Sequence, residues 1–422
     1  MGAGMGTSDA VDGESALISA VRAGDTALVK SLLREDSDPD MWDAAFCLAV
    51  RMRAGGLAQL MLQYGADVGR CGPVELLSLR EAVDSGSPAL VEALLDDRIQ
   101  GRYRYPVSEL SEMRDLARRW HEAGVEAELR RRTGSQDALV RTRVEDDEYY
   151  SVDEFTLGRM TVRDGHGAIL THLEELLGVH TSFEELMARA LGHDQHHSAW
   201  GSATVRLAGR RDQAIWSAAA ALRTHADPSY RLFGAEVLRL THLFDDSDED
   251  AFAGPALDIF TDWSVKEADL AVLTEVLVAL GEHADPRADA ALLAYAGHPD
   301  PRVRGAVARG VGTWSESPAF SDDVREALLV LMTDVDTAVR RDACLTVGQG
   351  GDRGPVLANA MAALLDDVDR QVQVAAVQGL ALHDDERCVE AARRLGPPQP
   401  GFLAEEYYLD AAWRYEWRRD GR

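Results

Sequence analysis

Apolar positions recur three and four residues apart through most of this chain. From residue 301, Val303, Ala306, Val307, Gly310 and Val311 fall at i, i+3, i+4, i+7 and i+8, the spacing of one buried helix face. Small residues in that face allow close helix packing. Asp300 stands at the N-cap position and Pro301 at the first helical position, where its missing N–H costs nothing. The same punctuation starts at Asp227 and Asp336, with weaker copies at His197, Asp269 and Asp369. Successive starts are 30, 42, 31, 36 and 33 residues apart, a period that marks stacked supersecondary repeats. Four copies have an upstream partner helix, giving predicted pairs 211–222 with 228–241, 287–296 with the helix after Asp300, 321–332 with 337–347, and 355–365 with 370–380. Neither member can hide its stripe alone, so neighbouring pairs supply the core. The expected fold class is all-α, an α-solenoid.

A second array is predicted in the first third. Leu28, Val29, Leu32 and Leu33 occupy i, i+1, i+4 and i+5, after Ala23-Gly24-Asp25. Val83, Ser85-Gly86-Ser87, Leu90-Val91 and Leu94-Leu95 repeat the pattern 62 residues later. Ala54-Gly55-Gly56 with Leu60-Met61-Leu62 and Gly65-Ala66-Asp67 lies between them. Residues 16–97 resemble about three degenerate ankyrin repeats; only Gly65-Ala66-Asp67 keeps the hairpin start, and no copy has the Thr-Pro-Leu-His opening.

The C-terminal copies, about residues 190–395, resemble HEAT-like repeats, in particular the short variety named after phycobilisome lyases. The resemblance implies an Asp–Arg ladder between successive repeats, carried by Asp227, Asp300 and Asp336 with Arg231, Arg304 and Arg340. Leu273 and Gln373 would interrupt it. HEAT-like arrays present their second helices to partners, which nominates Arg206, Glu236, Arg302, Arg309, Arg341 and Gln378 as exposed protein-binding contacts.

Between the arrays, residues 98–143 form a basic band; 108–132 reads as a helix or a helix pair broken at Gly124. An acidic loop with two tyrosines follows at 145–154, then short extended pieces around Phe155 and Met160 and a helix from His166. The organisation expected is a disordered 1–14, ankyrin-like repeats over 15–97, a helical linker over 98–189, HEAT-like repeats over 190–395 and a capping helix over 396–422.

Charge narrows the partners. A formal charge of −28 repels polyanions, so nucleic acid and anionic membrane are disfavoured and basic proteins or peptides preferred. Arginine replaces lysine except at Lys30 and Lys266, which reads as GC-rich coding, as in an actinomycete. Cys47, Cys71, Cys344 and Cys388 form no Cys-x-x-Cys pair and are expected as reduced thiols. With no signal-peptide pattern and no apolar run of membrane length, a cytoplasmic protein is expected.

Chemistry is sparse. On a helix, His193, His196 and His197 would share a face as zinc ligands could, but no second Cys or His pair follows, so no metal is assigned. Gly348 to Gly354 misses dinucleotide spacing and follows a helix. Neither a Walker loop nor a nucleophile elbow is present. No catalytic set, cofactor or small-molecule substrate is expected. The sequence reads as a non-enzymatic cytoplasmic adaptor or scaffold that binds protein along two joined solenoids. The alternative is a lyase-like enzyme or auxiliary acting on a tetrapyrrole–protein adduct, which rests on fold analogy. A HEAT-like nucleic-acid binder, as in solenoid DNA-repair glycosylases, comes third.

Overall fold

The computed structural model describes residues 15–35, 39–67, 76–96, 105–244, 251–312, 319–399 and 403–419. The expected tail at 1–14, the acidic run at 245–250 and Cys71 lie outside them. The fold is an all-α, solenoid-like repeat with one small sheet. The chain divides into two compact units, residues 1–203 and 204–422.

The first unit opens with three helix pairs: α1 (Ala16–Ala23) and α2 (Thr26–Glu35), α3 (Pro39–Arg51) and α4 (Gly55–Tyr64), α5 (Leu79–Ser85) and α6 (Pro88–Leu95). α3 packs on α1, and α6 on α4, so the apolar stripes merge into one core through Val21, Val29, Phe46, Met61, Val83 and Leu90. Among the described residues no strand lies in this segment. The basic band folds as the predicted pair, α7 (Val107–Ala123) and α8 (Val125–Thr133), broken at Gly124 with φ +78°. Among its described arginines, Arg118 pairs with Glu174, and Arg132 with Glu128 and Asp84.

The linker holds a three-stranded antiparallel sheet, β1 (Val140–Glu145), β2 (Ser151–Leu157) and β3 (Met160–Arg163), followed by α9 (His166–Leu176) and α10 (Phe183–Leu191). The acidic loop is partly structural. Asp146 is buried and accepts hydrogen bonds from Ser87 Oγ (2.6 Å) and Ala89 N (2.8 Å), with Arg163 at 3.0 Å. It thus ties the sheet to the N-terminus of α6. Gly86 permits the contact: at φ +73°, a Cβ there would sit 1.9 Å from the carbonyl oxygen of Arg163.

The boundary between the units falls within α11 (Ser198–Gly209). The second unit continues as pairs: α12 (Gln213–Ala221) with α13 (Pro228–Leu243), α14 (Ala253–Lys266) with α15 (Leu270–Gly281), α16 (Pro286–Leu293) with α17 (Pro301–Gly310), α18 (Asp322–Leu331) with α19 (Thr337–Gln349), and α20 (Pro355–Ala363) with α21 (Arg370–Leu382). α22 (Arg387–Leu395) and α23 (Leu403–Arg419) complete it. The second helices touch in series, α13 on α15, α15 on α17, α17 on α19, α19 on α21, then α23 on α21. Glycines set the closest approaches. A Cβ on Gly281 would lie 2.5 Å from Gly310 Cα, and one on Gly348 2.7 Å from Gly379 Cα.

The cysteine expectation needs a correction. Cys47, buried on α3, is disulfide-bonded. Cys344 and Cys388 are buried free thiols, and burial pushes both up to about 12.

Candidate functional site

The predicted repeat starts are helix N-caps. Asp227, Asp269, Asp300, Asp336 and Asp369 each accept the N–H two residues on, at 2.8–2.9 Å. The ladder exists, but its acid is not the cap. Arg231 forms a fork on Glu267 (3.0 and 2.8 Å), Arg304 on Asp334 (2.6 and 2.7 Å), and Arg340 on Asp367 (2.8 and 2.8 Å). In each case the acceptor lies two residues before the next cap. The cap aspartates keep their side chains on the backbone N–H two residues on, and Asp300 also takes Arg302 of its own turn. Each arginine also donates to two carbonyls of its own turn, for example Arg304 Nη1 to His298 O (2.8 Å) and Pro299 O (3.0 Å). Fork geometry with charge on both sides makes these strong pairs.

The register of the ladder is written in the sequence. Where the fourth residue after the cap is not arginine, at Gly201 and Leu273, the next acid position is histidine, His225 and His298. Those imidazoles accept the cap N–H through Nδ1 at 3.1 Å. Gln373 keeps half of the arginine's role, donating to Asp367 O at 2.7 Å. Burial pushes Asp334 and Glu267 up, but their arginines and backbone N–H donors outweigh it and hold both below the usual carboxylate range. Arg340 does the same for Asp367 against a smaller burial effect.

Of the six contacts expected to be exposed, Arg302 and Arg309 are. Their side chains are 63% and 51% accessible, and they pair with Asp300 and with the buried Asp342. Arg341 is half-buried, held by Asp342 and Gln371. Glu236 is half-buried and accepts from Thr204 Oγ1 at 2.9 Å, and Arg206 is half-buried too. Gln378 is corrected outright. It is buried, because α21 is flanked by α19 and α23 and residues 374–381 are buried in succession. The signal missed was the aromatic helix that covers α21. Also unforeseen are Val335 and Val368, each immediately before a cap and 93% and 98% exposed.

In the first unit, an open cleft is lined by Arg141, Arg143, Ser151, Asp153, Asp194 and His196. Its charges are matched internally: Arg141 pairs with Asp153, and Arg143 with Asp194 at 3.0 Å. Ser151 Oγ accepts from Arg143 Nε (2.6 Å) and donates to His196 O (3.2 Å), which is not the environment of an activated nucleophile.

Beside it, Asp164, His193 and His197 place ligand-type atoms within 4.8 Å of one another. The helical face expected for His193, His196 and His197 does not form, since residues 192–196 are a turn, and His196 faces the cleft instead. His197 is a cap: its Nδ1 accepts Ala199 N at 3.0 Å while Nε2 bonds Asp164 Oδ1 at 2.9 Å. Both ring nitrogens are therefore used. The His193 and His197 rings stack 3.7 Å apart at 11°. A metal lies in the plane of each imidazole that binds it, and nearly parallel planes do not meet at one ion. Burial, then His197, pushes His193 down to about 4. The trio fits a carboxylate-anchored helix start rather than a metal centre.

A family model described as HEAT repeats matches residues 290–381, which run from within α16 to within α21. Among curated proteins no relative matches the chain. Among solved structures, the crystal structure of YibA from Escherichia coli is similar at 14% identity and TM-score 0.40, covering 56% of this chain and 93% of that one. That likeness is too low to support further argument.

Proposed function

We propose that the chain is a protein-binding scaffold without catalysis of its own, which holds partners along the second helices of its HEAT-like repeats. The observation that carries this reading is the division of labour on those helices. Ladder arginines and caps lock neighbouring pairs together, while Arg302 and Arg309 keep most of their side-chain surface exposed, Arg302 resting on Asp300 of its own turn and Arg309 on Asp342 of the next second helix. HEAT repeats generally mediate protein interaction, and Arg302 and Arg309 lie inside the matched segment. The helix pairs of residues 15–97 are read as ankyrin-like units of the same scaffold.

A charge of −28 favours a basic partner and disfavours nucleic acid. The partner's acidic groups would meet Arg302 and Arg309 locally. Among the described residues no helix is long and apolar enough to cross a membrane. A cytoplasmic location is part of the proposal; the free buried thiols favour it and the disulfide at Cys47 opposes it.

The test is affinity purification with mass spectrometry from the native source, then titration of the purified partner. Arg302→Ala with Arg309→Ala is expected to weaken binding at least about tenfold, the effect of losing one modest contact's worth of affinity. Undiminished binding by the double variant, or retention of tetrapyrrole or heparin in place of protein, would count against the scaffold reading.

A further inference from the structure

One face of α23 is buried and the other carries aromatic rings. Leu409, Ala411, Ala412 and Tyr415 are buried where α23 packs on α21 and α22. On the opposite side Trp413 and Trp417 lie one turn apart, 63% and 51% exposed, with Tyr407 at 55% nearby. Single exposed apolar residues are ordinary, but neighbouring indoles on one helix form a contiguous patch of the kind that marks an interface.

The charges around the patch have a direction. Asp410 precedes the tryptophans, and Arg414, Arg418 and Arg419 lie among and after them. Arg414 sits 4.7 Å from the Tyr407 ring centroid. Arg418 and Arg419 pair with the exposed Asp384 (3.3 Å) and Glu386 (2.9 Å), surface contacts that exchange partners at little cost.

We propose that this face docks a second copy of the chain, with the two α23 helices antiparallel about a two-fold axis. Such an isologous contact needs a self-complementary surface, in which residue i meets j and j meets i. Antiparallel pairing supplies it: Asp410 of each copy approaches Arg414 and Arg418 of the other, and the four indoles fill the centre. Parallel pairing would set Asp410 against Asp410 and arginine against arginine.

The contact is small. A helix of 17 residues is about 25 Å long, and its outer face with neighbouring side chains offers on the order of 500 Å² per copy. That is below the roughly 800 Å² per partner of a stable interface. The dimer is therefore weak, with a Kd expected in the micromolar range or above.

Sedimentation velocity on the full chain from about 1 to 100 μM spans the micromolar range. Concentration-dependent monomer–dimer exchange is expected in the wild type. Trp413→Ala with Trp417→Ala should weaken it at least about tenfold, with far-UV circular dichroism unchanged. Asp410→Arg alone should weaken it as well, and mixing that variant with an Arg414→Asp, Arg418→Asp variant should restore a heterodimer. A wild type that stays monomeric throughout the range, or a double tryptophan variant that dimerises as before, overturns the proposal. A different protein seated on the indoles of a monomeric chain overturns it equally.

Discussion

Arg304→Ala removes one rung of the ladder without opening a cavity in the apolar core. The guanidinium and the Asp334 carboxylate are 12% and 10% exposed, and two short bonds join them at 2.6 and 2.7 Å. Breaking a fully buried pair costs about 3–5 kcal/mol, whereas an exposed pair is worth at most about 1. This pair lies between those limits. Water reaches both groups, and Asp334 keeps the N–H of Asp336 (2.8 Å) after the truncation, so the expected loss is about 2 kcal/mol. Asp334→Ala should cost a similar amount, and the double variant little more than either, giving a coupling energy of about 1–2 kcal/mol. Urea denaturation of the four proteins measures it. Because stacked repeats can unfold in segments, the variants should also broaden the transition, the α17–α19 boundary having lost a tie. Salt at 0.5 M should reduce the coupling only slightly, since the pair is shielded. Additive single costs, with a coupling below about 0.3 kcal/mol, would refute the claim that the rung joins neighbouring repeats.

Other outcomes follow from the same geometry. Gly348→Ala forces α19 and α21 apart, because the new Cβ would stand 2.7 Å from Gly379 Cα; a loss of about 1–3 kcal/mol is expected by thermal or urea unfolding. Gly209→Ala, with nothing within 4 Å, should instead be neutral or gain up to about 1 kcal/mol. Burial pushes His166 down to about 3, so the unfolded state takes up its proton first. The contribution is complete above about pH 6.5 and falls as pH drops toward 3, about 2 kcal/mol being lost at pH 5. Burial, with Asp147 and Asp146, pushes Glu92 up to about 7 and acts in the opposite sense. The difference between wild type and His166→Phe, measured at pH 7.5 and 5, isolates the histidine. The ladder carboxylates Asp334 and Asp367 are lowered. Their stabilisation is present above about pH 4 and lost below it, which a denaturation series from pH 5 to 2 should reveal.

The repeat punctuation was legible because one residue does one job in five of the six copies: Asp227, Asp269, Asp300, Asp336 and Asp369 all cap helices. The ladder was half legible. Arg231, Arg304 and Arg340 stood out by register, but their acceptors precede the caps and lie 27–36 residues downstream, so the family resemblance pointed to the wrong aspartates. Gln378 was misplaced because the periodicity of α21 cannot report that α23 covers its outer side. Asp146 and Asp153 read only as part of an acidic loop, yet both are buried, and the fold brings Ser87, Ala89 and Arg141 to them. His197 showed a similar ambiguity. A histidine next to a helix start can ligate or cap, and the bond from Ala199 N decides for the cap.

Hydrogen–deuterium exchange on the full chain, free and saturated with its captured partner, tests the scaffold claim most directly. Protection is expected along the exposed sides of α17 and α19 and their turns, around Arg302, Arg309 and Val335, with little change in the cleft near Ser151. Protection confined to that cleft, or none at all along the second helices, would contradict it.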